Sequence, residues 1–372
     1  MRFAVITHVK HIHKDNQWLA YAPYVREMNL WFNYVEAVEV VAPKTNGTVT
    51  DIDEIYQHKN ITFSQVPDIE FTSLKKSLQS TLKLPMILLS IFKACKRADH
   101  IHLRCPGNMG LLGSLIQMLF PKTPKTAKYA GNWDPKSKQP LSYRFQKWLL
   151  SNTVLTKNMQ VLVYGNWTNQ SKNIKPFFTA TYYNHEKEAL VKKDYSKTLK
   201  MVFIGSLVPG KQPLFCVQLI EQLRALELDI QLDIYGEGVL RPELERYIQE
   251  CELTGKVTLH GNVDKSRLKQ VYKNSHFVVL PSLSEGWPKA LAEGMFFGVI
   301  PIATSVSCVP WMLDSGRRGI VIPNDVNKAV QVVKNQIKNA NLQAMSVAAQ
   351  QWSHHYTMDD FESAIKSLLD VS

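Results

Sequence analysis

The chain has 372 residues, 45% hydrophobic and 20% charged, with a formal net charge of +12. That length and apolar content exclude a disordered or fibrous chain, and they suffice for two full cores at roughly 150 residues per domain. Five scattered cysteines, at 95, 105, 216, 251 and 308, form no CxxC pair and no metal-ligand spacing, which argues for a reducing compartment and against a disulfide scaffold.

The N-terminus, MRFAVITHVKHIHKDN, does not read as a signal peptide, because its apolar run is short and charges follow at once. RFAVIT is a predicted strand, followed by a loop rich in His and Lys and a helix from about Tyr21 to Tyr34. VEAVEVVAP and ADHIHLRCPG are further strands, the second ending at a Pro-Gly turn with a helix starting near Asn108. TAKYAG, MQVLVYG and FFTATY continue the strand series. The polar stretch NHEKEALVKKDYSKTLK, around 184–200, reads as a linker. Beyond it the alternation restarts: LKMVFIG, IQLDIYG, KVTLHG, HFVVLPS and VIPIAT as strands, with helices between them. The closing segment, WSHHYTMDDFESAIKSLLDVS, reads as a helix. Strands alternating with helices predict parallel sheets, and continuous apolar strands such as FVVL predict burial on both faces. The expected organisation is α/β: a Rossmann-like domain over 1–190, a second over 191–350, and a C-terminal helix over 351–372 packing back toward the first. Two doubly wound domains of this kind are expected to face each other across a cleft, with ligands beyond the carboxyl ends of the strands.

Charge is unevenly placed. Residues 201–372 hold 16 basic and 18 acidic residues, so residues 1–200 carry +14, and 71–150 alone carry +12 from 14 basic residues against Asp99 and Asp134. Such asymmetry implies an anionic partner: nucleic acid, lipid headgroups or a phosphorylated small molecule. Lys75, Lys76 and Lys83 are interleaved with apolar residues, a pattern shared by membrane-surface helices and ordinary core-facing ones. The most apolar stretch, TLKLPMILLSIFKAC, is broken by Lys83, Pro85 and Lys93 and falls short of the ~18–20 residues that a span requires. A cytoplasmic protein is expected, or one held peripherally at the inner face of the membrane through residues 71–150.

The most informative segment is LPSLSEGWPKALAEGMFFGVIPIAT. A helix starting near Trp287–Pro288 leaves its first amides unpaired, and those amides carry partial positive charge suited to an anion. Glu285 lies in the loop before that helix and Glu293 within it. This Glu-x7-Glu pattern resembles the signature of the retaining glycosyltransferases of family four, which have the GT-B fold. The resemblance extends through FIGSLVPGK, IYGEG, LHGNV and FFGVIPIATSVSCVPWMLDSGRRGIVIPN, covering about residues 200–325.

The resemblance implies roles. Glu285 would hold the donor sugar's hydroxyls, and backbone amides of Gly286, Trp287 and Lys289 would meet a diphosphate, Pro288 having no N–H to offer. Glu293 would accept both hydroxyls of the nucleotide's ribose. Lys211 would neutralise the diphosphate. Tyr235, Gly236, Gly238, Gly261, Asn262 and Val263 would frame the nucleobase. The residue after Gly205 is commonly an arginine in the family; here it is Ser206, so another cation must substitute, with Arg104 and Lys289 as candidates. The glycine-rich loop after the first strand is replaced by THVKHIHKDN, leaving His8, His11, Asn132 and Asp134 as candidate acceptor-side residues. Metal-independent chemistry is expected, with no metal and no other cofactor.

The function this implies is transfer of a hexose from a nucleotide-diphosphate sugar to a saccharide or lipid-linked saccharide, in capsular, lipopolysaccharide or other exported polysaccharide biosynthesis. Three competitors stand beside it: a sugar-nucleotide epimerase on the same fold, a nucleic-acid-binding or base-glucosylating protein, and a catalytically silent scaffold. No helix-turn-helix, zinc or RNP pattern accompanies the basic half, so no nucleic acid is expected.

Overall fold

A computed structural model describes residues 1–50, 52–69 and 74–370, with backbone alone for 74–79; the side chains of Lys75 and Lys76 therefore lie outside the described residues. The chain divides into two units, Met1–Phe177 with Glu362–Ser372, and Phe178–Phe361. In chain order the first unit contains β1 (Arg2–Ile6), β2 (Ile12–Lys14), β3 (Gln17–Tyr21), α1 (Ala22–Phe32), β4 (Ala37–Pro43), β5 (Asp53–Ile55), β6 (Ile61–Val66), α2 (Leu74–Arg97), β7 (His100–Cys105), α3 (Asn108–Ile116), β8 (Lys125–Tyr129), α4 (Leu141–Ser151), β9 (Met159–Tyr164) and β10 (Ile174–Phe177). Seven of these strands form one sheet, ordered β10-β9-β8-β7-β1-β4-β6, and every pairing in it is parallel.

Alternation along β1 splits its side chains between two buried layers. Ala4 and Ile6 pack with Ile87 and Ile91 of α2, Met109 of α3 and Leu150 of α4 in one core. Phe3 stacks toward Trp31 of α1 and toward His100 and His102 on the other face. Sheets covered on both sides favour unbroken apolar strands, as found here.

The second unit contains β11 (Leu199–Ile204), α5 (Pro213–Ala225), β12 (Ile230–Tyr235), α6 (Arg241–Glu250), β13 (Val257–Gly261), α7 (Lys265–Asn274), β14 (Phe277–Leu280), α8 (Lys289–Phe296), β15 (Ile300–Thr304), α9 (Val309–Met312), β16 (Ile320–Ile322), α10 (Val326–Asn339) and α11 (Leu342–Ser353). Its six-stranded parallel sheet is ordered β13-β12-β11-β14-β15-β16. The last helix, α12, spans Met358–Leu369.

Several local expectations change. The His- and Lys-rich loop contains the hairpin β2–β3, which pairs with β5 in a separate three-stranded antiparallel sheet. FFTATY is not one strand: β10 ends at Phe177. The closing segment is not one helix. Thr357 and Asp360 exchange backbone and side-chain hydrogen bonds, a capping arrangement that starts a new helix at Met358. Helices α10 and α11, absent from the sequence reading, are both side-chain capped, by Asp325 and Asn341.

Candidate active site

In the second unit the carboxyl ends of four neighbouring strands, β13, β12, β11 and β14, carry the residues singled out above, the place where parallel sheets bind ligands. Their loops are joined through backbone. Gly205 donates to the Tyr235 carbonyl, Leu207 to Glu237, Leu240 to Leu207 and Gly236 to Gly261. This closeness requires glycine. Gly236 has φ +142°, and a Cβ there would lie 2.0 Å from the Gly205 carbonyl oxygen; at Gly238 it would lie 2.4 Å from the Leu207 carbonyl oxygen. Ser206 is exposed beside this seam, as is Asn262, and Val263 is half-buried. Tyr235 is buried and stacks on His260, with ring centroids 4.5 Å apart and 6° between planes.

Leu283 donates to the Gly210 carbonyl, tying the loop after β14 to the loop that carries Lys211. Within that junction Lys211 Nζ lies 2.5 Å from Glu285 Oε1, with Glu285 almost fully buried and Lys211 about a third exposed. The pair presents a cation to solvent on a carboxylate that holds it in place. Lys211 and Glu285 were assigned separate roles from the sequence; the fold couples them.

Helix α8 begins at Lys289, one residue later than expected, with Pro288 as its N-cap and no side-chain cap. Leu291 and Ala292 donate back to the Pro288 carbonyl. The Gly286 carbonyl accepts from Cys308 Sγ, and Trp287 is buried against Trp311, Trp352 and Tyr356. These contacts immobilise the turn before the helix, so the Lys289 amide and its exposed side chain mark the helix tip.

Glu293 lies in the second turn of α8. Thr181 Oγ1 donates to one carboxylate oxygen at 2.7 Å and Tyr272 OH to the other at 3.1 Å. Burial raises its pKa, against the hydrogen bond from Thr181 and the charge of Lys289. The residue lines a cavity of about 10 Å³ with Thr181, Lys289, Ser353 and Tyr356, room for about one water. Thr181 and Tyr272 had no sequence signal: they are remote from Glu293 in the chain and meet it only in the fold.

The first unit assembles a different group. Arg104, near the carboxyl end of β7, and Lys128, near that of β8, both bind the carboxylate of Glu27 from α1, Lys128 Nζ at 2.8 Å. All three are buried or nearly so. Burial alone would raise the Glu27 pKa, but Arg104 and then Lys128 outweigh it and hold it at about 2. Arg104, a candidate for the cation missing at Ser206, is thus already paired with Glu27. His8 is exposed after β1, and a Cβ on Gly107 would come within 3.2 Å of its ring.

His11 departs from the acceptor-side expectation. It is fully buried, its Nε2 is 2.8 Å from Tyr56 OH, and it packs among Tyr24, Tyr56 and Phe63. Burial lowers its pKa to about 4, so it is a neutral core histidine. Asn132 and Asp134 close the turn after β8: Asn132 Oδ1 accepts from the Asp134 amide and Asp134 Oδ1 from the Lys136 amide. Their side-chain oxygens satisfy local backbone rather than standing open.

With this geometry in place, residues 185–352 match the family model described as Glycosyl transferases group 1. Among curated relatives, the putative colanic acid biosynthesis glycosyltransferase WcaL of Salmonella typhimurium is 24% identical over 138 residues, 36% of this chain and 34% of that protein. A Campylobacter jejuni α-1,4-N-acetyl-D-galactosaminyltransferase, named for a diphospho-undecaprenol-linked saccharide, is 31% identical over 112 residues, 30% of each chain. The chain therefore spans about a third of the length of these relatives. The structure of Anabaena HepE in complex with UDP and glucose superimposes with a TM-score of 0.68 at 14% identity, covering 100% of this chain and 99% of that one. That likeness establishes the fold, GT-B, with its two Rossmann-like parallel sheets.

Proposed function

We propose that this chain is a retaining, metal-independent glycosyltransferase of the glycosyl transferases group 1 family, whose model residues 185–352 match. It takes a hexose from a UDP-sugar and delivers it to a saccharide or lipid-linked saccharide in cell-envelope or exported polysaccharide synthesis. The observation that carries the reading is the junction of the Lys211–Glu285 pair with the uncapped tip of α8, eight residues before Glu293 in the signature.

The chemistry follows from the charges. As the glycosidic bond breaks, negative charge grows on the leaving diphosphate. Amides at a helix tip, held by the surrounding backbone, and the cations Lys211 and Lys289 stabilise it there, with Lys211 already positioned by Glu285. Glu285 grips sugar hydroxyls beside that anion while anchoring Lys211. Glu293 exchanges its hydrogen bonds with Thr181 and Tyr272 for the two ribose hydroxyls. The reaction proceeds by front-face attack, with the donor phosphate accepting the acceptor's proton. UDP in the HepE structure supports the nucleotide, and the Campylobacter relative's name supports a lipid-linked acceptor.

Charge-assisted hydrogen bonds contribute about 1.5–3 kcal/mol each. Glu293→Ala is therefore expected to weaken UDP binding by roughly 10- to 100-fold, read by calorimetry or thermal shift. A change below about twofold removes Glu293 from the ribose site. Product analysis with donor alone separates a transferase from an epimerase, which would consume the donor without any acceptor.

A further inference from the structure

Helices α2 and α4 bury one side in the same core, through Ile87 and Ile91 of α2 and Leu150 of α4. Their opposite sides are apolar as well. Leu82, Met86 and Leu89 follow one another at helical spacing on α2, and Leu141, Phe145 and Trp148 do so on α4; the six are between 45% and 77% exposed. Phe145 and Trp148 stack on each other in solvent, 5.7 Å apart and 21° from parallel. At about 1.5 Å per residue these stripes run on the order of 10 Å each.

The charges on and beside them are mainly basic. Lys83, Lys93 and Lys96 on α2, Arg144 on α4, and Lys136 and Lys138 just before it are all exposed. Within 71–150 they face two acids, Asp99, which accepts from the Arg2 amide, and Asp134, which accepts from the Lys136 amide. No described helix is long and apolar enough to cross a membrane. We propose that these two helix faces together form a docking surface for an anionic lipid bilayer, with the apolar stripes entering the headgroup boundary and the lysines and arginine resting on the headgroups.

The pairing of features selects that partner. Aliphatic residues such as Leu82, Met86 and Leu141 gain free energy on leaving water, and a bordering ring of cations gains on approaching anionic headgroups. A nucleic acid would satisfy the cations but leave the aliphatic side chains in water. The inference deepens the reading above by naming the environment in which a lipid-linked acceptor is met, and it rests on that reading only for this biological purpose.

The test is flotation of the full chain with mixed phosphatidylcholine–phosphatidylglycerol vesicles, with pure phosphatidylcholine vesicles alongside. Binding is expected to the mixed vesicles, to weaken at high salt, and to fall about tenfold or more in the Phe145→Ser/Trp148→Ser double variant and in Lys83→Glu/Arg144→Glu. All four positions are exposed, so the variants should keep the wild-type melting temperature. The proposal is overturned if wild type ignores both vesicles, or if the apolar double variant floats as well as wild type. It is equally overturned if light scattering shows a stable dimer that the same double variant dissociates. A UDP thermal shift on each preparation keeps the two readings apart: vesicle binding with no UDP shift fails the donor site alone, and a UDP shift with no vesicle binding fails the lipid surface alone.

Discussion

At the carboxyl end of the second sheet, loops touch through their backbones, and glycines at 236 and 238 allow the approach. The charges there, Lys211 with Glu285 and Lys289 at the tip of α8, lie within or beside the motif segments of the chain. At the carboxyl end of the first sheet the charges are sunk into the fold. Glu27 is held by Arg104 and Lys128, which lie 77 and 101 residues away in sequence. One end is shaped by conformational restriction and leaves charge near solvent; the other balances charge in the interior. The contrast teaches that a cation near a strand end is not by itself available to a substrate.

The sharpest way to break this contrast is Glu27→Gln. Removing the acid leaves Arg104 and Lys128 uncompensated in the interior, which is expected to cost about 3–5 kcal/mol in urea unfolding. The acid dependence carries the same information. The Glu27 pKa is depressed from 4.5 to about 2 in the folded state, so its stabilisation is full above the unfolded value and is lost as pH falls from there toward about 2. A wild-type unfolding free energy whose loss over that range is unaltered in Glu27→Gln removes the charge-balancing account.

Next in size is Gly236→Ala. The added Cβ meets a backbone carbonyl and the φ is one that other residues rarely adopt, so a loss of about 1–3 kcal/mol is expected together with loss of detectable UDP binding. Retained UDP affinity at wild-type stability would mean that the backbone seam does not shape the site.

The smallest effect sharpens the role of Glu293. Its pKa is raised by burial, so the ionised form is costly in the folded state and stability falls as pH rises through that raised value. Glu293→Gln is therefore expected to raise the melting temperature at neutral pH, by about 2–4 °C for each kcal/mol relieved, while weakening UDP binding less than Glu293→Ala does. A lower melting temperature would assign Glu293 to stability rather than to the nucleotide.

The parallel α/β architecture was legible in the chain, as was the placement of Glu285, Lys211 and the glycines near strand ends and of Glu293 in the following helix. Each depends on local pattern: apolar runs for buried strands, proline and glycine at fixed offsets, a helix start after a loop. His11 was misread because a histidine in a polar run looks solvent-facing until the aromatic rings of Tyr24, Tyr56 and Phe63 close around it. Arg104 was correctly located at a strand end, but its partner Glu27 is a lone acid on an otherwise unremarked helix. The exposed stripes on α2 and α4 have the same spacing as core-facing ones, so only knowing which side is buried separates them. Sequence by itself determined most of the parallel strands and the helices between them, because these follow from neighbours along the chain. Tertiary structure decided which charges are spent on one another and which apolar faces remain uncovered, because both depend on residues that meet only after folding.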